Sequence, residues 1–237
     1  MDPQIFDDKW TVSFFNFLKD KSLETEFFPR KKKINFYDAT GQKLFSLRTS
    51  TQIRIDKQRE ALLKEDYSNY LLILVRSGLA AVGLVQNGEL LHHKVFRAYM
   101  VRKKQGKSQV KYLKTKGKSR AGSRVRLGET MEFFQEIGLR VNEHLLTYPV
   151  DQIGLSISAT LLPYFFNENP GLKLDKRDSR IFRIPKHVGS PTLETLFFVK
   201  EFLEKNEWQV AEEGLSLLQA FNSENNPKDL DDDSEDW

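Results

Sequence analysis

The stretch YLLILVRSGLAAVGLVQNGELLHHKVFRAYMV, residues 70–101, decides the fold. Tyr70 to Val75, Leu79 to Val85 and Leu90 to Val101 are apolar runs of strand length, rich in the branched residues that suit a pleated surface. Asn87-Gly88 separates the last two, and this pair tolerates the positive φ that a type I′ hairpin turn imposes on both central positions. Three consecutive strands are therefore expected. Downstream, Phe134, Ile137, Val141 and Leu145 recur at three- and four-residue spacing, which predicts a helix from Glu129 with one face packed on the sheet. Ile153 to Ala159 and Ile181 to Ile184 read as further strands, and Asn169-Pro170-Gly171 as a turn after the aromatic segment Leu161 to Phe166. Ser190-Pro191 reads as an N-cap with proline at the first helical position, opening a helix to about Leu203. Strands alternating with helices in this way give an α/β class, a mixed β-sheet flanked by helices.

Outside this block the signals are weaker. Residues 1–65 begin with Phe14, Phe15, Phe17, Phe27 and Phe28, and the turn Ala39-Thr40-Gly41 suggests a hairpin within Ile34 to Ile55. Asp56 to Asp66 is polar, rich in helix formers, and reads as a link. The expected organisation is a small α+β extension over 1–65, a main domain over 66–210, and a C-terminal segment over 211–237. From about Asn222 that segment has seven acids and one Lys, a composition expected to be disordered.

The charge distribution is more informative than the net +4. Lys94 to Arg126 holds 13 Lys/Arg and no Asp or Glu, leaving 24 basic against 33 acidic groups elsewhere. A segment of +13 in a body of −9 calls for a polyanionic partner, and nucleic acid fits it best. There is no cysteine, so thiolate catalysis, disulfides and Cys-ligated zinc are excluded. The four His residues, His92, His93, His144 and His187, lack metal-ligand spacing, so no metal and no cofactor are expected. No apolar run reaches the roughly 18 residues needed to cross a bilayer, and Asp2, Asp7 and Asp8 do not suit a signal peptide, which points to a cytoplasmic protein with no membrane partner. An amphipathic helical pattern is missing from the basic segment, which disfavours a lipid-surface role.

Within that segment Gly106, Gly117, Gly122 and Gly128 supply freedom, while Arg97, Arg102, Lys103, Lys104, Lys107, Lys111, Lys114, Lys118, Arg120 and Arg124 are the candidate phosphate contacts. Tyr99 and Tyr112 are suited to stacking on bases. No Walker-type Gly-x-x-x-x-Gly-Lys-Ser/Thr and no Gly-x-Gly-x-x-Gly occurs, so nucleotide hydrolysis is not expected. His92 and His93 are adjacent, but neighbours on a strand face opposite ways and cannot form an acid–base pair.

The run from His93 to Gln109, the Lys/Gly segment after it and Ser119-Arg120-Ala121-Gly122-Ser123 resemble the signature of the Vms-like release factors, in their bacterial type. These are relatives of the eukaryotic and archaeal peptide-chain release factors. The resemblance extends over roughly residues 68–205, including Asp178-Ser179-Arg180-Ile181 and Ser190-Pro191-Thr192-Leu193-Glu194. It implies a fold like the catalytic middle domain of release factors, whose glutamine loop enters the peptidyl-transferase centre. Gln109 matches the family glutamine, with Gly106 the leading glycine and Ser108 between them in the catalytic loop. Lys107 stands next to Gly106, where the eukaryotic Vms-like proteins usually continue with a second glycine. The implied partners are the large ribosomal subunit, its rRNA and peptidyl-tRNA of stalled complexes. The implied reaction is either ester hydrolysis or cleavage of the tRNA near its CCA end, in ribosome rescue. Glutamine is neither a strong base nor a nucleophile, so its role would be orientation and hydrogen bonding. A non-catalytic tRNA- or rRNA-binding module is the alternative reading, and the oligomeric state stays open.

Overall fold

The computed structural model describes residues 3–65, 68–98, 118–167 and 169–225. The chain divides into two compact units, Met1–Glu65 with Leu203–Trp237, and Asp66–Phe202.

The first unit contains β1 (Gln4–Phe6), α1 (Asp8–Lys19), β2 (Glu24–Phe28), β3 (Lys33–Tyr37), β4 (Lys43–Arg48), β5 (Ile53–Asp56) and β6 (Ala61–Lys64). Asp7 starts α1, its Oδ1 accepting from the Trp10 amide at 2.7 Å, and Phe14, Phe15 and Leu18 then fall on one buried face. The expected hairpin is β3–β4. Asp38 Oδ1 accepts from the Thr40 and Gln42 amides, and Gly41 takes φ 82°, where a Cβ would be strained. Residues 56–66, read as a polar link with helix formers, include strand instead. Ile53 pairs with Lys64 and Ile55 with Leu62, because apolar residues alternate and Ile53, Ile55 and Leu62 point into the core. Asp56 Oδ1 closes the turn on the amides of Gln58 and Arg59.

The sequence boundary near 210 also differs from what the contacts show. From the C-terminal part of the chain, β12 (Asn206–Val210) lies between β1 and β4, in the order β1-β12-β4-β3-β2. Trp208, opposite Leu47 on β4, is fully buried beside Phe14 and Phe36, so residues 203–225 complete the N-terminal core. Asn206 fixes the junction, donating to Asp8 Oδ1 at 2.6 Å and accepting from the Ser50 amide at 2.7 Å. Helix α5 (Leu215–Asn225) continues three residues past Asn222, where the tail was expected to begin, with Leu218 and Phe221 buried. Residues 226–237 lie outside the described residues.

The second unit is the α/β arrangement expected. It contains β7 (Tyr70–Arg76), β8 (Leu79–Gln86), β9 (Glu89–Arg97), α2 (Lys118–Thr147), β10 (Gln152–Ile157), α3 (Leu162–Phe166), β11 (Ile181–Arg183) and α4 (Leu193–Leu203). The sheet order is β11-β10-β7-β8-β9, with β7, β10 and β11 parallel and β8 and β9 antiparallel to their neighbours. Asn87 and Gly88 turn β8 into β9 at φ 51° and 78°. One face of the sheet, with Leu71, Ile73, Val75, Val82 and Leu84, packs on Phe133, Phe134, Ile137 and Val141 of α2. On the other face Gly83 meets Leu196 of α4, where a Cβ would approach Leu196 Cδ2 to 3.1 Å. Both faces are thus covered, which explains the unbroken apolar runs of β7 and β8. The cap of α4 is Thr192 rather than Ser190. Its Oγ1 accepts from the Thr195 amide at 3.2 Å, and the helix starts at Leu193, two residues beyond Pro191.

Candidate nucleic-acid interface

The basic segment leaves the sheet from its edge. Strand β9 pairs only with β8 among the described strands and ends with Arg97 opposite Leu79, and the Ala98 amide donates to the Gly78 carbonyl at 2.9 Å. The chain re-enters the described residues at Lys118, the first residue of α2. Residues 99–117 are therefore delivered by an edge strand and received by a 30-residue helix packed on the same sheet.

Packing between these two elements is specific. Phe96 is buried in the core shared with Phe133 and Phe134, and Lys94 Nζ lies 4.9 Å from the Phe96 ring centre. His92 Nε2 lies 2.6 Å from the Tyr148 hydroxyl, just past the end of α2, and the His92 ring stacks 5.8 Å from that of His144. His144 is buried, and burial together with the Arg140 charge pushes its pKa down to about 4. It is held neutral near pH 7. Sequence separation hid this cluster, since 56 residues lie between His92 and Tyr148. His92 is half-buried in it while His93 is exposed, as alternation along a strand requires.

At the same end of the sheet as Arg97, Arg76 closes β7. Its guanidinium donates to the Val75 carbonyl at 2.9 Å, to Ser156 Oγ at 3.3 Å, and to the Val188 carbonyl. Burial lowers its pKa from the ordinary arginine value, and five fixed N–H donors make it a clamp for strand ends.

Of the sequence-derived candidates, Arg97 is exposed on β9. Lys118, Arg120 and Arg124 occupy the first two turns of α2, spaced so that 120 and 124 are helical neighbours. Gly106, Ser108 and Gln109, with Arg102, Lys103, Lys104, Lys107, Lys111 and Lys114, lie outside the described residues, as do Tyr99 and Tyr112. Among the described residues no group of three or more His, Asp or Glu is arranged to hold a metal ion, and no helix is long and apolar enough to cross a membrane.

A mixed sheet that carries a 19-residue basic connection between an edge strand and a long helix defines an α/β domain built to present a polycationic loop. The chain belongs to the Bacteroidetes VLRF1 release factor family, whose model matches residues 70–211, more than half of its length and all of that loop. A solved structure described as the Vms1 mitochondrial localization core is similar to it at 14% identity, covering 86% of this chain and 84% of that one with a TM-score of 0.41. No curated protein matches the chain.

Proposed function

We propose that the protein is a ribosome-associated release factor that acts on peptidyl-tRNA of stalled large subunits, freeing the nascent chain by ester hydrolysis or by cutting the tRNA near its CCA end. The observation that carries this reading is the coincidence of two independent signals in one segment. The release-factor family match spans residues 70–211, and inside it lies the 33-residue stretch with 13 basic and no acidic residues.

Gln109, with Gly106 and Ser108, is the proposed catalytic element, and the surrounding Lys and Arg residues neutralise RNA phosphates. A neutral amide contributes by orienting water or the attacking hydroxyl and by hydrogen bonding to developing charge, so the RNA and ribosome complete the site. The stems support such a role, because a loop presented from an edge strand and a packed helix has fixed ends. Lys107 favours a share of binding in the loop's work, since it replaces glycine freedom with a phosphate partner.

The test is incubation of stalled peptidyl-tRNA on isolated large subunits with wild-type protein and with Gln109→Ala, resolving peptide, intact tRNA and 3′-trimmed tRNA on one gel. Full-length tRNA beside free peptide identifies ester hydrolysis, and shortened tRNA identifies endonucleolytic cleavage. Bound wild-type protein that yields neither leaves a non-catalytic RNA-binding module.

A further inference from the structure

We propose that the carboxyl-end rim of the mixed sheet is a second contact surface for tRNA backbone phosphates, formed by Ser158, Thr160, Lys186 and His187 and continuous with Arg97 at the loop stem. This rests on the reading of the loop as a tRNA-engaging element, and it assigns a binding role to residues outside the loop.

Register brings these positions together. Val75 pairs with Ile157 and Leu155 with Arg183 in parallel, so Arg76, Ser158 and the segment after Arg183 emerge at one end of the sheet. Leu79 pairs with both Arg76 and Arg97 in antiparallel fashion, which adds the Ser77-Gly78 turn and the loop stem to the same end. Arg76 fastens this rim by donating to Ser156 on β10 and to the Val188 carbonyl beyond β11. Across five strands at about 4.8 Å each, the rim spans roughly 19 Å.

Charge is segregated between the two ends. Segments 76–80, 95–98, 156–166 and 183–193 contain no Asp or Glu, and the first acid after them is Glu194 in the first turn of α4. The opposite end carries Glu89, Asp151 and Asp178. The rim's exposed groups are donors. Ser158 and Thr160 hydroxyls lie 2.9 Å apart, leaving one proton to donate outward, and His187 is exposed. Lys186 is exposed with Nζ held 4.8 and 4.6 Å from the ring centres of Phe198 and Phe202, which positions an ammonium whose other face is open to water. A row of hydroxyl, imidazole and ammonium donors without competing carboxylates suits phosphate oxygens. Continuity with the loop stem at Arg97 makes the tRNA held by the loop the RNA in reach, in preference to an acidic protein.

Binding of deacylated tRNA by the full chain, followed by fluorescence anisotropy from 50 to 250 mM salt, tests this. The double variant Lys186→Ala/His187→Ala should bind about fivefold more weakly, with the slope of log K against log salt reduced by about one, since Lys186 alone carries charge near pH 7.5. Lys176→Ala, an exposed lysine at the opposite end, should match wild type. Unchanged melting temperatures keep the comparison free of folding effects. Equal tRNA affinity and slope for the double variant and Lys176→Ala would overturn the proposal, as would a loss seen only with isolated large subunits. Product formation separates this from the loop reading. Gln109-dependent release with unaltered tRNA binding by the double variant sinks the rim alone, whereas weakened binding by the double variant with Gln109→Ala as active as wild type upholds the rim and sinks the catalytic reading.

Discussion

His92 Nε2 and the Tyr148 hydroxyl, 2.6 Å apart, join the strand that sends the basic loop out to the residue that follows the helix receiving it. The two stems of residues 99–117 are thereby locked at their far end. Tyr148→Phe keeps the ring contacts and removes this hydrogen bond, and it should cost about 1 kcal/mol in urea denaturation. A variant as stable as wild type would show that the bond contributes nothing to holding the stems.

His144, stacked on His92, makes that junction sensitive to acid. Its folded pKa of about 4 lies below the ordinary 6.5, with burial the main cause and Arg140 the second, while Glu143 opposes them. The unfolded chain therefore binds the proton first. Its contribution to stability is complete above about pH 6.5 and is lost progressively as pH falls toward 4. His144→Leu should lose less stability than wild type between pH 7.5 and 5 in parallel urea titrations. Equal losses would place the acid sensitivity elsewhere.

Gly138 sits where α2 meets the turn after α3. A Cβ there would lie 2.8 Å from Asn169 Nδ2, the Gly171 carbonyl carbon and the Leu172 amide nitrogen. Two of those atoms are backbone, and the turn is pinned by Asn169 Nδ2 donating to the Phe134 carbonyl at 2.7 Å and by Asn142 accepting from the Lys173 amide at 2.9 Å. Overpacking should outweigh the gain of about 1 kcal/mol in helix propensity, so Gly138→Ala is expected to destabilise by about 1–2 kcal/mol. Thermal unfolding checks this, and a raised melting temperature would mean that the turn gives way.

Lys107 is expected to act as a phosphate partner. Lys107→Gly should reduce the salt slope of tRNA binding by about one while leaving Gln109-dependent product in place. An unchanged slope would assign Lys107 no phosphate contact.

Local chemistry made much of the fold readable. Asn87-Gly88 announced the β8–β9 hairpin, and the spacing of Phe134, Ile137 and Val141 announced the buried face of α2. What escaped depends on partners distant in sequence. Residues 56–64 have polar composition and a turn whose left-handed residue is Glu60, at φ 48°, rather than glycine, so the β5–β6 hairpin gave no turn signal. Strand β12 is placed by pairing with β4, some 160 positions earlier, and no local pattern reveals that. For the site, Arg97 and the start of α2 were readable from charge alone. The gathering of Arg76, Ser158 and Lys186 at one rim was not, because it follows from strand register.

The most direct test of the central claim compares wild type with Gln109→Ala on stalled peptidyl-tRNA at equal occupancy of the large subunit. The catalytic reading predicts that Gln109→Ala binds as wild type does but forms peptide or trimmed tRNA about 100-fold or more slowly, the loss typical of removing one oriented hydrogen-bonding group. Product formation by the variant at the wild-type rate would contradict it.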